Sequence, residues 1–332
     1  MIIGIDGNEA NIKERVGVGQ YAFNLISELY NLDTNNQYII YLKENPLKDL
    51  PKERSNWHYR VFGPAKFWTR LALPLKLFTQ KEKLNLFYSP GHYLPIFCPF
   101  PTIPTIHDIG YLQYQDQFTK KDLYQLINWT KDSLKKSSHI ITVSEFSKSE
   151  IIKTYSINHQ KISIAPNGVG EPPSISKSQS DQILKNFSIS KPYFLYLGTL
   201  KPNKNIPFLI NAFSSFSKYH LVIAGKKGWL YDEIYQTVKN LHLQDRIIFT
   251  GFINDFEKWV LYKNALSTVI PSTYEGFGIP ALESMKAGTP VIVSDIPPFA
   301  EVVSQAGILI DPYNTDSLID ALNSIIKPEI KQ

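Results

Sequence analysis

Apolar runs of three to six residues return along nearly the whole chain, separated by longer polar or amphipathic stretches. In the first half they fall at residues 2–6, 38–42, 86–89, 104–106, 138–143 and 162–165, and 58–62 reads as a further strand. In the second half they fall at 193–197, 220–224, 246–250, 266–270, 291–293 and 307–310. Runs this short and this continuously apolar predict strands buried on both faces. Between them the period changes: Tyr21, Leu25, Leu29 and Leu32 mark a helix over 18–32, and helices are expected over 206–216 and 231–241. Strands alternating with helices predict parallel sheets covered on both faces. The pattern lapses at 171–190, which is polar, serine-rich and opens near Pro172-Pro173, with a short helix expected at 183–187. That stretch reads as an interdomain connection. The expected fold is α/β: two Rossmann-like, doubly wound parallel-sheet domains, 1–170 and 171–332, with a ligand cleft between facing strand ends.

The stretch 271–295 concentrates the candidate chemistry. Glu275 and Glu283 stand eight residues apart, with Gly276, Gly278 and Pro280 between them. Proline suits the first turn of a helix, and Gly288 suits its end. The free N–H groups of such a start can seat a phosphate, here flanked by two carboxylates suited to hydroxyls. On spacing alone the plainer reading is favoured, with one acid beside a helix dipole and the other on a solvated face.

Three further places carry polar groups at predicted strand ends. The polar loop 8–20 contains Gly17 and Gly19 between a strand and a helix, an order that presents amides to a phosphate. Tight-turn glycines explain it as well, because neither a dinucleotide fingerprint nor a Walker lysine is present. The run 104–106 ends in His107-Asp108. There a histidine can meet a sugar hydroxyl and Asp108 can accept a hydrogen bond or orient a turn, although a structural pair is the plainer reading. Ser144 or Ser147 suits the cap of the helix that follows 138–143. Lys204 follows a strand–glycine turn at a helix start, where it can face a diphosphate or simply be a surface lysine.

Composition narrows the classes. The 332 residues are 43% hydrophobic and 20% charged, as in a soluble globular protein of two domains. No run approaches a membrane-spanning length, and the N-terminus reads as a strand and not a signal peptide. Cys98 is the sole cysteine, which excludes a disulfide framework or a cysteine metal site and fits a reducing, cytoplasmic setting. A net charge of +5 suits phosphates or an anionic surface and does not indicate nucleic acid. Within 67–83, Phe67, Trp68, Leu71, Leu75 and Phe78 mix with Arg70, Lys76, Lys81 and Lys83. Such a segment packs on its own sheet, kinked at Pro74, or rests peripherally on an anionic membrane.

Taken in order, Gly17-Val18-Gly19, His107-Asp108, VSEFSKSEI, PNGV, LGTLKPNKN, EGFGIPALE, AGTPVIVSD and DIPPFAEVV form a compound motif. On this set the chain resembles, over nearly its whole length, the retaining nucleotide-sugar glycosyltransferases of the GT-B fold, glycosyltransferase family 4. The resemblance implies transfer of a hexose or deoxyhexose from a nucleoside-diphosphate sugar to a glycan or lipid-linked acceptor in surface polysaccharide synthesis, with mannose favoured. The second domain would hold the donor and the first the acceptor. Glu283 would hold the ribose hydroxyls, and Glu275 would face the transferred sugar. Gly276, Phe277, Gly278 and Ile279 would line sugar and phosphate. Lys204 would bind the diphosphate, Gly17 and Gly19 would approach it, and His107, with Asp108 beside it, would lie near the reaction centre. Gly225, Lys226, Phe252 and Ile253 would frame the base. Many relatives carry an arginine before the lysine; Asn203 stands there instead, removing one charge from the expected clamp.

No Asp-x-Asp pair occurs, so transfer without a metal or other cofactor is expected, with Lys204 and helix amides stabilising the leaving diphosphate. The resemblance implies same-face attack assisted by a diphosphate oxygen, and a covalent intermediate on Glu275 is the rival. Four other readings compete. A non-catalytic sugar-nucleotide-binding paralogue draws on Asn203, and an epimerase of this fold would be expected to lack EGFGIPALE. A phosphorylase needs a much larger chain, and the truncated glycine pattern disfavours an NAD-dependent oxidoreductase.

Overall fold

The computed structural model describes residues 1–327, and the chain divides into two compact units, Met1–Asn167 and a second beginning at Gly168. In the first unit the elements run β1 (Ile2–Asp6), α1 (Val18–Leu32), β2 (Gln37–Leu42), β3 (Trp57–Val61), α2 (Leu73–Thr79), β4 (Leu86–Ser89) and β5 (Thr102–Ile106). Then follow α3 (Lys120–Lys136), β6 (Ile140–Thr142), α4 (Glu145–Tyr155) and β7 (Ile162–Ile164). Among the described residues the strands form one seven-stranded parallel sheet, ordered β3-β2-β1-β4-β5-β6-β7. Alternate residues feed opposite cores. Ile40, Leu42 and Trp57 pack with Ala22 and Ile26 of α1, whereas Ile39, Tyr41 and Phe87 pack with Trp68, Leu73 and Leu77. Burial on both faces is what makes these strands continuously apolar.

The segment before α2 departs from the expected kink at Pro74. Pro74 lies in the first turn of α2, where a missing N–H costs no hydrogen bond. The irregularity sits just upstream, where Trp68–Ala72 winds as a π-helical turn after Phe67 in a left-handed conformation.

The second unit runs α5 (Lys177–Asn186), β8 (Tyr193–Leu197), α6 (Ile206–Phe213), β9 (His220–Ala224), α7 (Asp232–Asn240), β10 (Ile247–Gly251) and α8 (Asp255–Asn264). It continues with β11 (Thr268–Ile270), α9 (Ile279–Lys286), β12 (Val291–Ser294), α10 (Pro297–Val303), β13 (Ile308–Ile310) and α11 (Thr315–Ile326). Among the described residues its sheet has six parallel strands, ordered β10-β9-β8-β11-β12-β13. The polar stretch 171–190 is more than a connection. Ser176 and Gln179 close a capping box at the start of α5, and Leu184 packs in one core with Trp259 and Val260 of α8.

Both sheets reverse direction between their first and fourth strands, at β1/β4 and at β8/β11. In open α/β sheets such a switch splays the loops at the carboxyl edge and leaves a crevice for a ligand. Among the described residues no helix is long and apolar enough to cross a membrane.

Candidate functional site

At the β8/β11 switch two loops are stitched together. The loop after β8 carries Asn203 and Lys204; the loop after β11 carries Ser272 to Gly278. The Thr273 amide donates to the Asn203 carbonyl (2.9 Å), and Asn203 Nδ2 donates to the Tyr274 carbonyl (3.2 Å). Asn203, read from sequence as a missing cation, thus serves as a staple. It sets Lys204 against Glu275: the ammonium donates to Glu275 Oε1, which also accepts from Ser272 Oγ (2.8 Å). Both partners are largely buried, so the pair is shielded from bulk water. Beneath it lies Tyr196, whose phenol is held neutral, far above its ordinary range, by burial and by the Glu275 charge.

Gly278 caps α9 at φ 105°, and a Cβ there would stand 2.6 Å from the Phe299 ring. Only glycine brings the chain so close to α10 in this conformation. Pro280 follows in the first turn. Phe277 and Ile279, on either side of Gly278, are partly buried, and Gly276 is buried.

Glu283 lies one turn further along α9, buried, with both oxygens engaged. Lys258 Nζ donates to Oε1 (2.7 Å) and the Tyr262 hydroxyl to Oε2 (2.9 Å). Lys258 also meets Asp255 (2.6 Å). Burial alone would lower the Lys258 pKa, but the Glu283 and Asp255 carboxylates outweigh it and raise it. Burial, then Glu283, pushes the Tyr262 phenol well up. Lys258 and Tyr262 were not singled out in the sequence. Their spacing of four residues, which puts both on one face of α8, is the only local signal.

The loops after β9 and β10 border the same edge. Gly225 adopts φ 141°, and a Cβ would fall 2.0 Å from the Gly198 carbonyl oxygen, so the turns after β8 and β9 touch backbone to backbone. The Lys226 carbonyl accepts from the Leu200 amide (3.0 Å), and the Gly225 amide donates to Gly251 (2.9 Å). Phe252 is exposed, whereas Ile253 packs into the α5/α8 core. Lys201 sits over the Trp229 ring (4.7 Å), a cation–aromatic contact that the sequence reading passed over.

In the first unit the β1/β4 switch gathers a different set. Gly17 caps α1 at φ 50°, and the Gly19 amide donates to Val16 (3.1 Å). Arg15 anchors this loop through the Ala10 carbonyl (2.6 Å) and both oxygens of Asp49 (2.6 and 3.0 Å). His107 follows β5, and its Nε2 lies 2.9 Å from the Pro90 carbonyl. A carbonyl only accepts, so Nε2 carries the proton and Nδ1 keeps the lone pair. The ring stands edge-on to Tyr21 (4.6 Å) and stacks on His92 (5.9 Å). The His107 amide donates to His92 Nε2 (3.3 Å), and its carbonyl accepts from Ser147 Oγ (3.0 Å). Ser144, the other serine considered, caps α4. Asp108 turns back to accept from the Gly110 amide (2.9 Å).

Burial lowers the pKa of both histidines, with the Pro90 carbonyl and Asp108 opposing it at His107; His92, also repelled by His107, is pushed down to about 4. Asp6, at the end of β1, is pushed up to about 6 by burial, despite hydrogen bonds from Asn8. Neither Asp6 nor His92 was singled out in the sequence. Among the described residues no three His, Cys, Asp or Glu side chains converge as metal ligands would.

Comparisons with known proteins match this architecture. The family model described as Glycosyl transferases group 1 matches residues 179–332, and that described as Glycosyltransferase Family 4 matches residues 16–170. The O-antigen chain mannosyltransferase RfbU of Salmonella typhimurium is 33% identical over 266 residues, covering 80% of this chain and 70% of that protein. The O-antigen chain mannosyltransferase B of Escherichia coli is 31% identical over 241 residues, covering 70% of this chain and 63% of that protein. This chain thus spans less than two thirds of the second relative. The structure of a sucrose-phosphate synthase from Thermosynechococcus elongatus superposes with a TM-score of 0.75 at 19% identity, over 98% of this chain and 90% of that one. The two-sheet architecture is the GT-B fold.

Proposed function

Because the chain belongs to the glycosyltransferases of group 1 and family 4, we propose that it moves a hexose or deoxyhexose from a nucleoside-diphosphate sugar to a glycan or lipid-linked acceptor. Mannose is the favoured sugar and surface polysaccharide the favoured product, since two relatives bear the name O-antigen chain mannosyltransferase. The donor belongs to the second unit and the acceptor to the first.

One observation carries this reading: the Lys204–Glu275 pair held at the β8/β11 switch. When the anomeric C–O bond breaks, the electron pair leaves with the diphosphate and positive charge grows on the sugar. Lys204 and the amides at the start of α9 oppose the first charge, and Glu275 stabilises the second. The acceptor oxygen bonds to the anomeric carbon on the same face, and its proton passes to the departing diphosphate oxygen. Glu275 is committed to Lys204 and Ser272, which weakens it as a nucleophile and disfavours a covalent intermediate. Charge neutralisation by Lys204 and backbone amides is the basis for proposing transfer without a metal ion.

The test is nucleoside diphosphate release from a panel of UDP-, GDP- and dTDP-hexoses, with and without lipid-linked glycan. Lys204→Ala and Glu275→Ala should each lose turnover about a thousandfold while the protein stays folded. Near-normal turnover in both variants would overturn the assignment. Asn203 leaves a single cation at the clamp, so a non-catalytic binding subunit is the second reading. Nucleotide binding without release from any donor would establish it.

A further inference from the structure

We propose that the outward face of residues 67–78, continued by Ile96 and Phe97, seats the protein on an anionic bilayer. The segment is apolar on two opposite sides. Trp68, Leu73 and Leu77 point inward and pack against Ile39, Tyr41 and Phe87. Phe67, Leu71, Leu75 and Phe78 point outward and are 60%, 62%, 64% and 66% exposed. A surface helix of a globular protein normally carries polar residues on the second side. The patch does not end with the helix: the Phe78 ring meets that of Phe97 at 5.9 Å, and Phe97 is itself 52% exposed. Behind Ile96 and Phe97 lies a hollow of about 280 Å³ lined by Leu94, Cys98 and Phe100, with Lys136 at its side. Contiguous exposed apolar area of this kind marks an interaction surface.

The charge around the patch selects the occupant. Lys66, Lys81 and Lys83 are exposed and Lys76 half-buried, while the intervening acid, Glu82, is taken up by Arg60 (2.7 Å). Arg70 is not available to this rim, because Asp132 (3.7 Å) and the Trp129 ring (4.7 Å) hold it. Lys136, also exposed, donates to the Ile96 carbonyl (2.7 Å) beside the patch. A second copy docked by a two-fold axis would bring lysines against lysines. A nucleic acid would gain nothing from the leucines and phenylalanines. An anionic lipid surface satisfies both parts, taking the apolar side chains among its acyl chains and the lysines among its headgroups.

The inference does not depend on glycosyl transfer, and its test needs no donor. Full-length protein is sedimented with vesicles of phosphatidylcholine alone or with about one third phosphatidylglycerol. We expect partition onto the anionic vesicles only, reduced at least about tenfold in Leu71→Gln/Leu75→Gln/Phe78→Gln. Lys76→Glu/Lys81→Glu/Lys83→Glu should abolish the preference for anionic lipid. Most of these side chains are solvent-exposed and Lys76 carries no ion pair, so the unfolding temperature should stay unchanged and report that the variants fold. Absence of wild-type partition, or partition indifferent to the apolar triple substitution, overturns the proposal. So does concentration-dependent self-association by ultracentrifugation that the same substitution removes, which would give the face to a second copy.

Discussion

The two switch points share one topology and differ in how they treat charge. At β8/β11 the candidate site side chains are held as ion pairs, Lys204 with Glu275 and Lys258 with Glu283. At β1/β4 and the neighbouring β5, burial drives the groups towards neutrality: His92 and His107 lose affinity for protons and Asp6 gains it. One edge keeps fixed charges in a shielded site, where they act strongly on a charged ligand. At the other edge the two histidines are held uncharged and can read hydroxyls, while Asp6, titrating at about 6, is still ionised at neutral pH. A common scaffold thus supplies an ionic half and a half built around neutral histidines, a contrast suited to the charged donor and uncharged acceptor group proposed above.

The largest effect that tests this contrast is on turnover. Lys204→Ala should lower kcat/KM about a thousandfold, whereas His107→Gln should cost only about ten- to a hundredfold, because glutamine keeps a hydrogen-bonding side chain. Equal losses would erase the distinction between the halves. Next comes stability. Glu283→Ala leaves Lys258 with only the exposed Asp255 and should cost about 3 kcal/mol in urea unfolding. The double variant Glu283→Leu/Lys258→Met should regain most of that stability without regaining donor binding by calorimetry. Recovery of both would reduce Glu283 to a packing role.

A smaller effect lies in the pH dependence of the first unit. Asp6 titrates at about 6 when folded against 3.8 ordinarily, so the folded form keeps its proton longer and stability falls as pH rises from about 4 to 6. Asp6→Asn should therefore stabilise the unit by about 1–2 kcal/mol at neutral pH, a gain that vanishes below about pH 4. His92 has the opposite sign. Folded at about 4 against 6.5, it contributes stability above 6.5 that is lost as pH falls towards 4. Differential scanning calorimetry of Asp6→Asn and His92→Gln from pH 4 to 8 should show slopes of opposite change. The smallest expected change is at Asn203. Asn203→Arg adds a cation to the ionic half but removes the tie to Tyr274, and should cost about 1 kcal/mol while lowering donor KM no more than about threefold.

The central strands were legible because parallel strands buried on both faces are written as nearly unbroken apolar runs, whereas the edge strand β3 exposes His58 and Arg60. Helices were less so. In α8, Trp259, Val260, Leu261 and Tyr262 are buried in succession, so no 3.6-residue stripe appears. The serine-rich stretch 171–190 looked like a connection because α5 buries little beyond Ser180 and Leu184. Glu275, Lys204, His107 and Glu283 were visible as residue types at strand ends and helix starts. Their partners were not, since Lys258, Tyr262, His92 and the Asn203 staple depend on which loops the strand order makes neighbours. Reading a pair of contacts across 71 residues, as between Asn203 and Tyr274, requires the sheet first.

The double engagement of Glu283 limits how the donor site proposed above can be redirected. Its carboxylate joins α8 to α9, so a substitution there is felt by folding before any ligand is tested. A selection for altered sugar-nucleotide preference should therefore collect its changes at the rim, at Lys226, Trp229 and Phe252, whose side chains can be exchanged with little loss of core. The helix joint would be inherited unchanged from parent to variant.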